Sequence, residues 1–461
     1  MALQTIRLRS QAERLAWLAE QVPPLSGSGI IYTLTVRDAE QVADWLRSRD
    51  LIVEAYTGKS GERRPALEQA LLDNKVKALV ATTALGMGFD KPDLGFVIHY
   101  QAPGSVVAYY QQVGRAGRAL DSAYGVLLGG EEDTDITDFF IDTAFPARRQ
   151  VDEVIAALEA EPDGLSEPGI LSHVNIGQGR LRQLMKVLSL EAPAPVVKED
   201  ARWQLTAAPL AEEFWQRVER LTTLRRQEKE QMQRYVDLSS GHMQFLIRAL
   251  DGDPAEASAK AHGELCAKPQ RRTVLDAIAF LKGTFHEIAP RKKGPRKLIP
   301  PQLRAEPGSS LCHWNDAGWG RLVQSRKYLE GRFSDELVDA CVELLQRWGS
   351  NPAPQWVTCV PSLRHPDLVP DFAARLAATL GLPFRPILIK TENRPEQKIM
   401  QNSAQQVANV WGSIELDGRP SAEAVLLVDD IVDSGWTFTA SAWLLRNDGS
   451  GEVWPLSLAR A

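Results

Sequence analysis

ALVATTALGMGFDKPDLGFVIHYQAPGSVVAYYQQVGRAGRALDSAYGVLL, residues 78–128, decides the fold of the first part of this chain. Residues 78–81 and 96–100 are short apolar runs of strand character. Beside them stand two polar segments, ATTALGMGFDKP (81–92) and YYQQVGRAGR (109–118). Gly86 and Gly88 let a loop pass close to a phosphate backbone, because no Cβ holds the main chain away. A helix over residues 111–118 puts Arg115 and Arg118, three residues apart, on one face. Arginine suits a triphosphate because it stays charged and forms bidentate bonds to phosphate oxygens.

Outward from this stretch the pattern alternates. Residues 29–35 (GIIYTLT) read as a buried strand, 38–49 as an amphipathic helix and 51–56 as the next strand. Residues 62–72 read as a helix with Leu67, Ala70 and Leu71 on one face. This β–α alternation predicts an α/β lobe with a mainly parallel sheet covered by helices. TGKS at 57–60 has the ending of a phosphate-binding P-loop, but that loop needs a glycine where Val53 stands, so a surface turn is expected.

Composition sets the outer limits. The 461 residues suffice for about three domains at roughly 150 residues each. No apolar run approaches the roughly 18 residues that span a bilayer, so no membrane partner is expected. The opening MALQTIRLRSQAERLAWL is amphipathic and polar, without a secretory hydrophobic region. Cys266, Cys312, Cys341 and Cys359 lie far apart, which suggests reduced thiols and a cytoplasmic protein. The net charge is −6, which does not exclude nucleic acid where basic residues cluster.

Residues 82–92 and 111–118 resemble motifs V and VI of superfamily-two helicases, and GIIYTLT resembles motif IV. YYQQVGRAGR is similar to the RecQ branch in particular. The resemblance implies that residues 1–145 are the second RecA-like lobe of an ATP-dependent DNA helicase that unwinds DNA in repair or recombination. It makes Arg115 and Arg118 arginine fingers on the ATP γ-phosphate, with Gln111 beside them, and Thr82, Gly86, Gly88 and Asp90 a loop facing ATP and DNA. Such arginines contribute roughly 10³–10⁵ in rate in phosphoryl transfer. No GxxxxGKS or GxxxxGKT string and no DEAH-like box occurs in the sequence. ATP and Mg²⁺ are therefore expected to be shared with a P-loop-bearing first lobe, in the same protein or a separate chain. Negligible ATPase is expected from these residues alone.

Residues 146–208 read as a winged helix: helices over 151–161, 166–174 and 178–190, then two wing strands around 198–200. The third helix offers Arg180, Arg182 and Lys186 to DNA; a helical spacer with solvated charges is the other reading. Residues 209–270 resemble the helical hairpin that holds zinc in RecQ proteins. His242, His262 and Cys266 supply three ligands where a structural zinc site needs about four, so no metal is expected and Phe245, Leu246 and Leu250 pack the hairpin. Residues 271–305 follow as a helix and a proline-rich basic linker, PRKKGPRKLIPPQLR at 290–304, which either tracks a nucleic-acid backbone or is simply solvated.

The last domain, 306–461, is a second α/β unit anchored on AVLLVDDIVDSGWT, residues 424–437. An apolar strand ends in Asp429 and Asp430, and a short loop leads into a helix whose N-terminal N–H groups suit phosphate. Paired carboxylates accept ribose hydroxyls and approach Mg²⁺. The stretch resembles the phosphoribosyl-pyrophosphate signature of ComF-like type I phosphoribosyltransferases. The resemblance implies that Asp429 and Asp430 meet the ribose, and that Asp433, Ser434, Gly435 and Thr437 cradle the 5′-phosphate. Residues 356–364 (WVTCVPSLR) resemble the pyrophosphate loop, and 390–409 the flexible loop with its Gln397 and Asn409. The arginine usual before that asparagine is absent: Gln406 and Val407 stand there. Two function classes follow: a RecQ-like helicase portion whose partners are DNA and a P-loop lobe, and alternatively a phosphoribosyltransferase or phosphoribosyl-pyrophosphate sensor that uses the helicase lobe as a platform.

Overall fold

The computed structural model describes every residue except 86–88, 131–132, 146, 258–262 and 296. The chain opens with β1 (Ala2–Arg7), α1 (Gln11–Gln21), β2 (Ser28–Tyr32), α2 (Val36–Arg47), β3 (Val53–Tyr56) and α3 (Arg64–Leu72). It continues with β4 (Ala78–Ala81), β5 (Leu94–His99), α4 (Val106–Val113), β6 (Tyr124–Gly129) and α5 (Asp133–Asp142). The six strands form one sheet, β1-β6-β5-β2-β4-β3, with every pair parallel. β2, β4 and β5 are buried along their whole length, as apolar strands covered by helices on both faces must be. Local chemistry sets the helix starts: Ser10 and Glu13 close a capping box on α1, and Thr35 accepts the Asp38 N–H on α2. The polar opening residues are not a single amphipathic segment. They become β1, paired with β6 far along the chain, a partner that local periodicity cannot reveal.

Next come α6 (Arg148–Glu159), β7 (Leu165–Ser166), α7 (Glu167–His173), α8 (Gln178–Ser189), β8 (Val196–Glu199) and β9 (Arg202–Leu205). The three helices pack against a small antiparallel sheet ordered β7-β9-β8, through Val151, Val154, Ile170, Leu184 and Leu188. Then follow α9 (Glu212–Val236), α10 (His242–Ala249) and α11 (Arg271–Gly283).

The remainder comprises β10 (His286–Ile288), β11 (Gly308–His313), α12 (Gly320–Ser325), α13 (Asp335–Trp348), β12 (Trp356–Cys359), α14 (Leu368–Leu380) and β13 (Leu388–Lys390). The last elements are α15 (Ser403–Val410), β14 (Ile414–Leu416), β15 (Val425–Val432), α16 (Trp436–Asn447) and β16 (Val453–Arg460). The second large sheet runs β10-β11-β16-β15-β12; its three pairs beyond β10 are parallel, and β10 joins the edge antiparallel. β13 and β14 form a separate hairpin.

The chain gathers into two compact units, each made of two pieces: Met1–Phe145 with Glu212–Phe280, and Pro146–Ala211 with Leu281–Ala461. Five consecutive segments (1–145, 146–208, 209–270, 271–305 and 306–461) are thus not five bodies. Met232 and Tyr235 of α9 and Leu246 of α10 enter the core of the first lobe, burying apolar faces that a free hairpin would leave in water. Residues 290–304 are likewise no free linker. Arg291 donates Nε–H to the Ser434 carbonyl at 2.6 Å and lies 4.3 Å over the Trp436 ring, while Ile299 is buried.

Candidate functional site

In the first unit the loop after β4 and the turn after α4 lie side by side. α4 stops at Val113, so Arg115 and Arg118 do not share a helical face. Gly114 caps the helix, and Gly117 turns the chain at φ +76°, a conformation that L side chains avoid. The Gly117 N–H then bonds the Leu94 carbonyl and the Ala119 N–H the Pro92 carbonyl, both at 2.9 Å. This backbone pairing brings the two arginines to the loop that the helicase resemblance assigns to ATP and DNA.

The arginines differ in kind. Arg115 is 8% exposed and donates Nη1–H to the Phe89 carbonyl at 2.9 Å. Arg118 is half-exposed, with Nη1 2.9 Å from a carboxylate oxygen of Asp90. Gln111 is exposed on α4, and Thr82 is buried, its N–H on the Tyr56 carbonyl at 3.2 Å. Gly86 and Gly88 lie outside the described residues. Lys59 of the 57–60 turn is exposed and reaches Glu40, away from any phosphate cradle.

Behind the turn lies a buried aromatic stack that the sequence did not signal. His99 packs against Tyr32 and Tyr109, and Tyr109 against Tyr235 of α9. Burial pushes His99 down to about 4, opposed by its 2.6 Å hydrogen bond with Gln112, so the ring is neutral at pH 7. Tyr235 also meets His242 edge-on, and burial lowers the His242 pKa as well. His242 therefore serves as a packing residue, the exposed Cys266 donates its thiol to the Lys268 carbonyl, and His262 lies outside the described residues. Among the described residues no cluster of three metal-ligating side chains is present.

In the second unit a cavity of about 580 Å³ opens beyond the carboxyl ends of β12, β15 and β16. Ligands in open parallel sheets collect at this edge. Asp429, Asp430, Asp433, Ser434, Gly435 and Thr437 all line it, with Lys327, Arg364, Lys390, Arg394 and Lys398 on its other walls. Gly435 takes φ +75° and opens α16, so the first turn of that helix points its N–H groups to the site. Burial, then the neighbouring Asp430 carboxylate, push the Asp429 carboxyl well above the usual carboxylate range. Asp430 is held 2.6 Å from Lys327, which sits in a π-helical turn, Arg326–Glu330, inside no recognisable motif. Arg364 pairs with Glu396, Lys398 with Glu396 at 2.7 Å, and Arg394 with Glu392 at 2.6 Å. Burial and then the charges of Arg364 and Arg394 lower the Lys390 pKa. Oxygen donors of this kind suit Mg²⁺. The cationic walls suit phosphate.

α8 presents Arg182 and Lys186 outward on one face, with Arg182 Nε 2.8 Å from Glu167. Arg180 is half-buried on another face, and burial lowers its pKa.

Residues 17–120 match the family described as the helicase conserved C-terminal domain. An ATP-dependent DNA helicase RecQ of Synechocystis sp. is 44% identical over 108 residues, 23% of this chain and 23% of that protein. The lobe is similar to the C-terminal lobe of RecQ helicases. RecS of Bacillus subtilis is 28% identical over 190 residues, covering 40% of this chain and 38% of RecS. Among solved structures, the E. coli DEAD-box protein SrmB matches at 22% identity and a TM-score of 0.28, over 30% of this chain and 82% of that one. The chain spans less than half the length of the two curated relatives named. No described helix is long and apolar enough to cross a membrane.

Proposed function

We propose that the first unit is the nucleotide-closing lobe of an ATP-dependent DNA helicase and works against a P-loop lobe that these residues do not supply. The observation that carries this is the exposed Arg118 on a turn fastened by backbone bonds to the loop after β4. In this reading ATP and Mg²⁺ are held by the partner lobe. Arg118 approaches the γ-phosphate, and Arg115 fixes the loop from beneath. α8 adds DNA contacts through Arg182 and Lys186, in the manner of a winged helix, with Arg180 as a lesser contributor. Hydrolysis of ATP by the full chain, with and without an added P-loop lobe and duplex DNA, is the test. Robust turnover by the chain alone would overturn the division of labour.

The second unit supports a separate reading. The paired Asp429 and Asp430, the N-terminus of α16 and the cationic walls of one cavity favour binding of phosphoribosyl pyrophosphate with Mg²⁺. Asp429 and Asp430 would hold the ribose and approach the metal, and residues 433–437 the 5′-phosphate. Either group transfer or sensing fits this chemistry. Thermal stabilisation by the compound, present in the native chain and lost in Asp429→Asn, tests it.

A further inference from the structure

The segment after β13 belongs to two places at once. Residues 393–398 form one wall of the acidic-pair cavity. A few residues later the same segment is bonded to the turn between α7 and α8. Asn402 is buried; its side-chain amide donates to the Val174 carbonyl at 2.9 Å and the Ile176 carbonyl at 3.0 Å. Its side-chain oxygen meanwhile caps α15 by accepting the Gln405 N–H at 3.0 Å. Asn175 donates to the Ile399 carbonyl and accepts from the Gln401 N–H, and Gln405 donates to the Ser172 carbonyl.

The segment is also cross-linked within itself. Gln397 donates to the Gln406 carbonyl, Gln406 to the Met400 carbonyl, and Asn409 to the Gln397 side chain, at 2.8–3.0 Å. Residues 395–409 are therefore tied to one another, with Asn409 also bonded to the Pro395 carbonyl. A ligand has a reason to shift them, because the basic groups of that wall are matched by internal carboxylates. Glu396 neutralises Arg364 and Lys398, and Glu392 neutralises Arg394. A phosphate that takes Arg364 must repel Glu396, and that exchange gives the two arrangements different ligand affinities.

We propose that residues 393–405 couple the cavity to α8, so that a sugar polyphosphate bound at Asp429 and Asp430 changes the affinity of the helical module for DNA through the Asn402 clasp. This rests on the sugar-phosphate reading of the cavity. By linkage, DNA changes the affinity for the sugar phosphate by the same factor.

The test measures the affinity of the full chain for a labelled duplex, with and without saturating phosphoribosyl pyrophosphate and Mg²⁺. The expected change is about fivefold or more, the lower end of ordinary couplings. Asn402→Asp keeps the cap on α15 but turns the clasp into a carboxylate facing two carbonyls. It should retain binding of each ligand alone while the change falls to less than about twofold. Asn175→Ala, which removes two bonds from the exposed side, should reduce the change as well and stands in if Asn402→Asp does not fold. Stabilisation by the probe with no change in DNA affinity overturns the coupling and leaves the cavity reading intact. Failure of the probe to bind overturns both. Equal coupling in the native chain and in both variants overturns this route.

Discussion

Arg115 and Arg118 belong to one sequence motif, and the structure separates what they do. In Arg115→Ala the lobe loses a charge-assisted bond to the Phe89 carbonyl, worth about 1.5–3 kcal/mol. Two buried methylenes go as well, about 1.6 kcal/mol at ~0.8 each. Relief from burying a guanidinium offsets part of this, leaving a net loss of about 2–3 kcal/mol. In Arg118→Ala a half-exposed pair with Asp90 and a long, exposed 3.4 Å bond to the Gly114 carbonyl go, together contributing about 0–1 kcal/mol. Hydrogen exchange of peptides covering β4 and β5 reads the stability of the lobe directly. Arg115→Ala should lower protection there by the larger amount, with Arg118→Ala near the native chain. In the presence of a P-loop lobe, Arg118→Ala should still lower ATP hydrolysis by roughly 10³-fold or more. Equal destabilisation by the two substitutions, or a greater loss in Arg118→Ala, would refute the assignment of one arginine to the loop and the other to the nucleotide.

Other outcomes follow from the same geometry. His99 has its pKa depressed from 6.5 to about 4, so its contribution is full above pH 6.5 and is lost as pH falls toward 4. The first unit should lose about 2 kcal/mol between pH 8 and pH 5 from this group, a loss absent in His99→Gln when unfolding is followed by exchange at β2 and β5. Asp429→Asn should raise the unfolding midpoint of the second unit at neutral pH, because a carboxyl whose pKa is raised by burial and by Asp430 disfavours the fold once ionised; a fall in the midpoint would count against that burial. Gly435→Ala meets no atom within 4 Å but forces φ +75°, so it should cost about 1–2 kcal/mol by calorimetry and weaken phosphate binding at α16. Arg182→Ala with Lys186→Ala should reduce the slope of log affinity against log salt by about 2 for duplex DNA, an effect that solvated surface charges would not produce.

Periodicity and motif spacing already contained much of this protein. The alternation over residues 29–100 pointed to a mainly parallel sheet containing β2 to β5, because buried strands and their covering helices are written in consecutive residues. The carboxylate pair at 429–430 and the glycine at 435 pointed to a strand–turn–helix for the same reason. Contacts between distant residues were not written that way. β1 found its partner in β6, α9 folded back so that Tyr235 met Tyr109, and the basic stretch at 290–304 placed Arg291 on Trp436. Whether Arg115 or Arg118 faced solvent depended on where α4 ends, on the glycine turn at Gly117 and on a carbonyl at Phe89, and no local pattern encodes the direction of a side chain after a helix has ended. Sequence determined which elements exist, since propensity and amphipathic period act over a few residues. Tertiary structure decided which elements share a core and which charges are neutralised, since those depend on residues brought together only when the chain closes on itself.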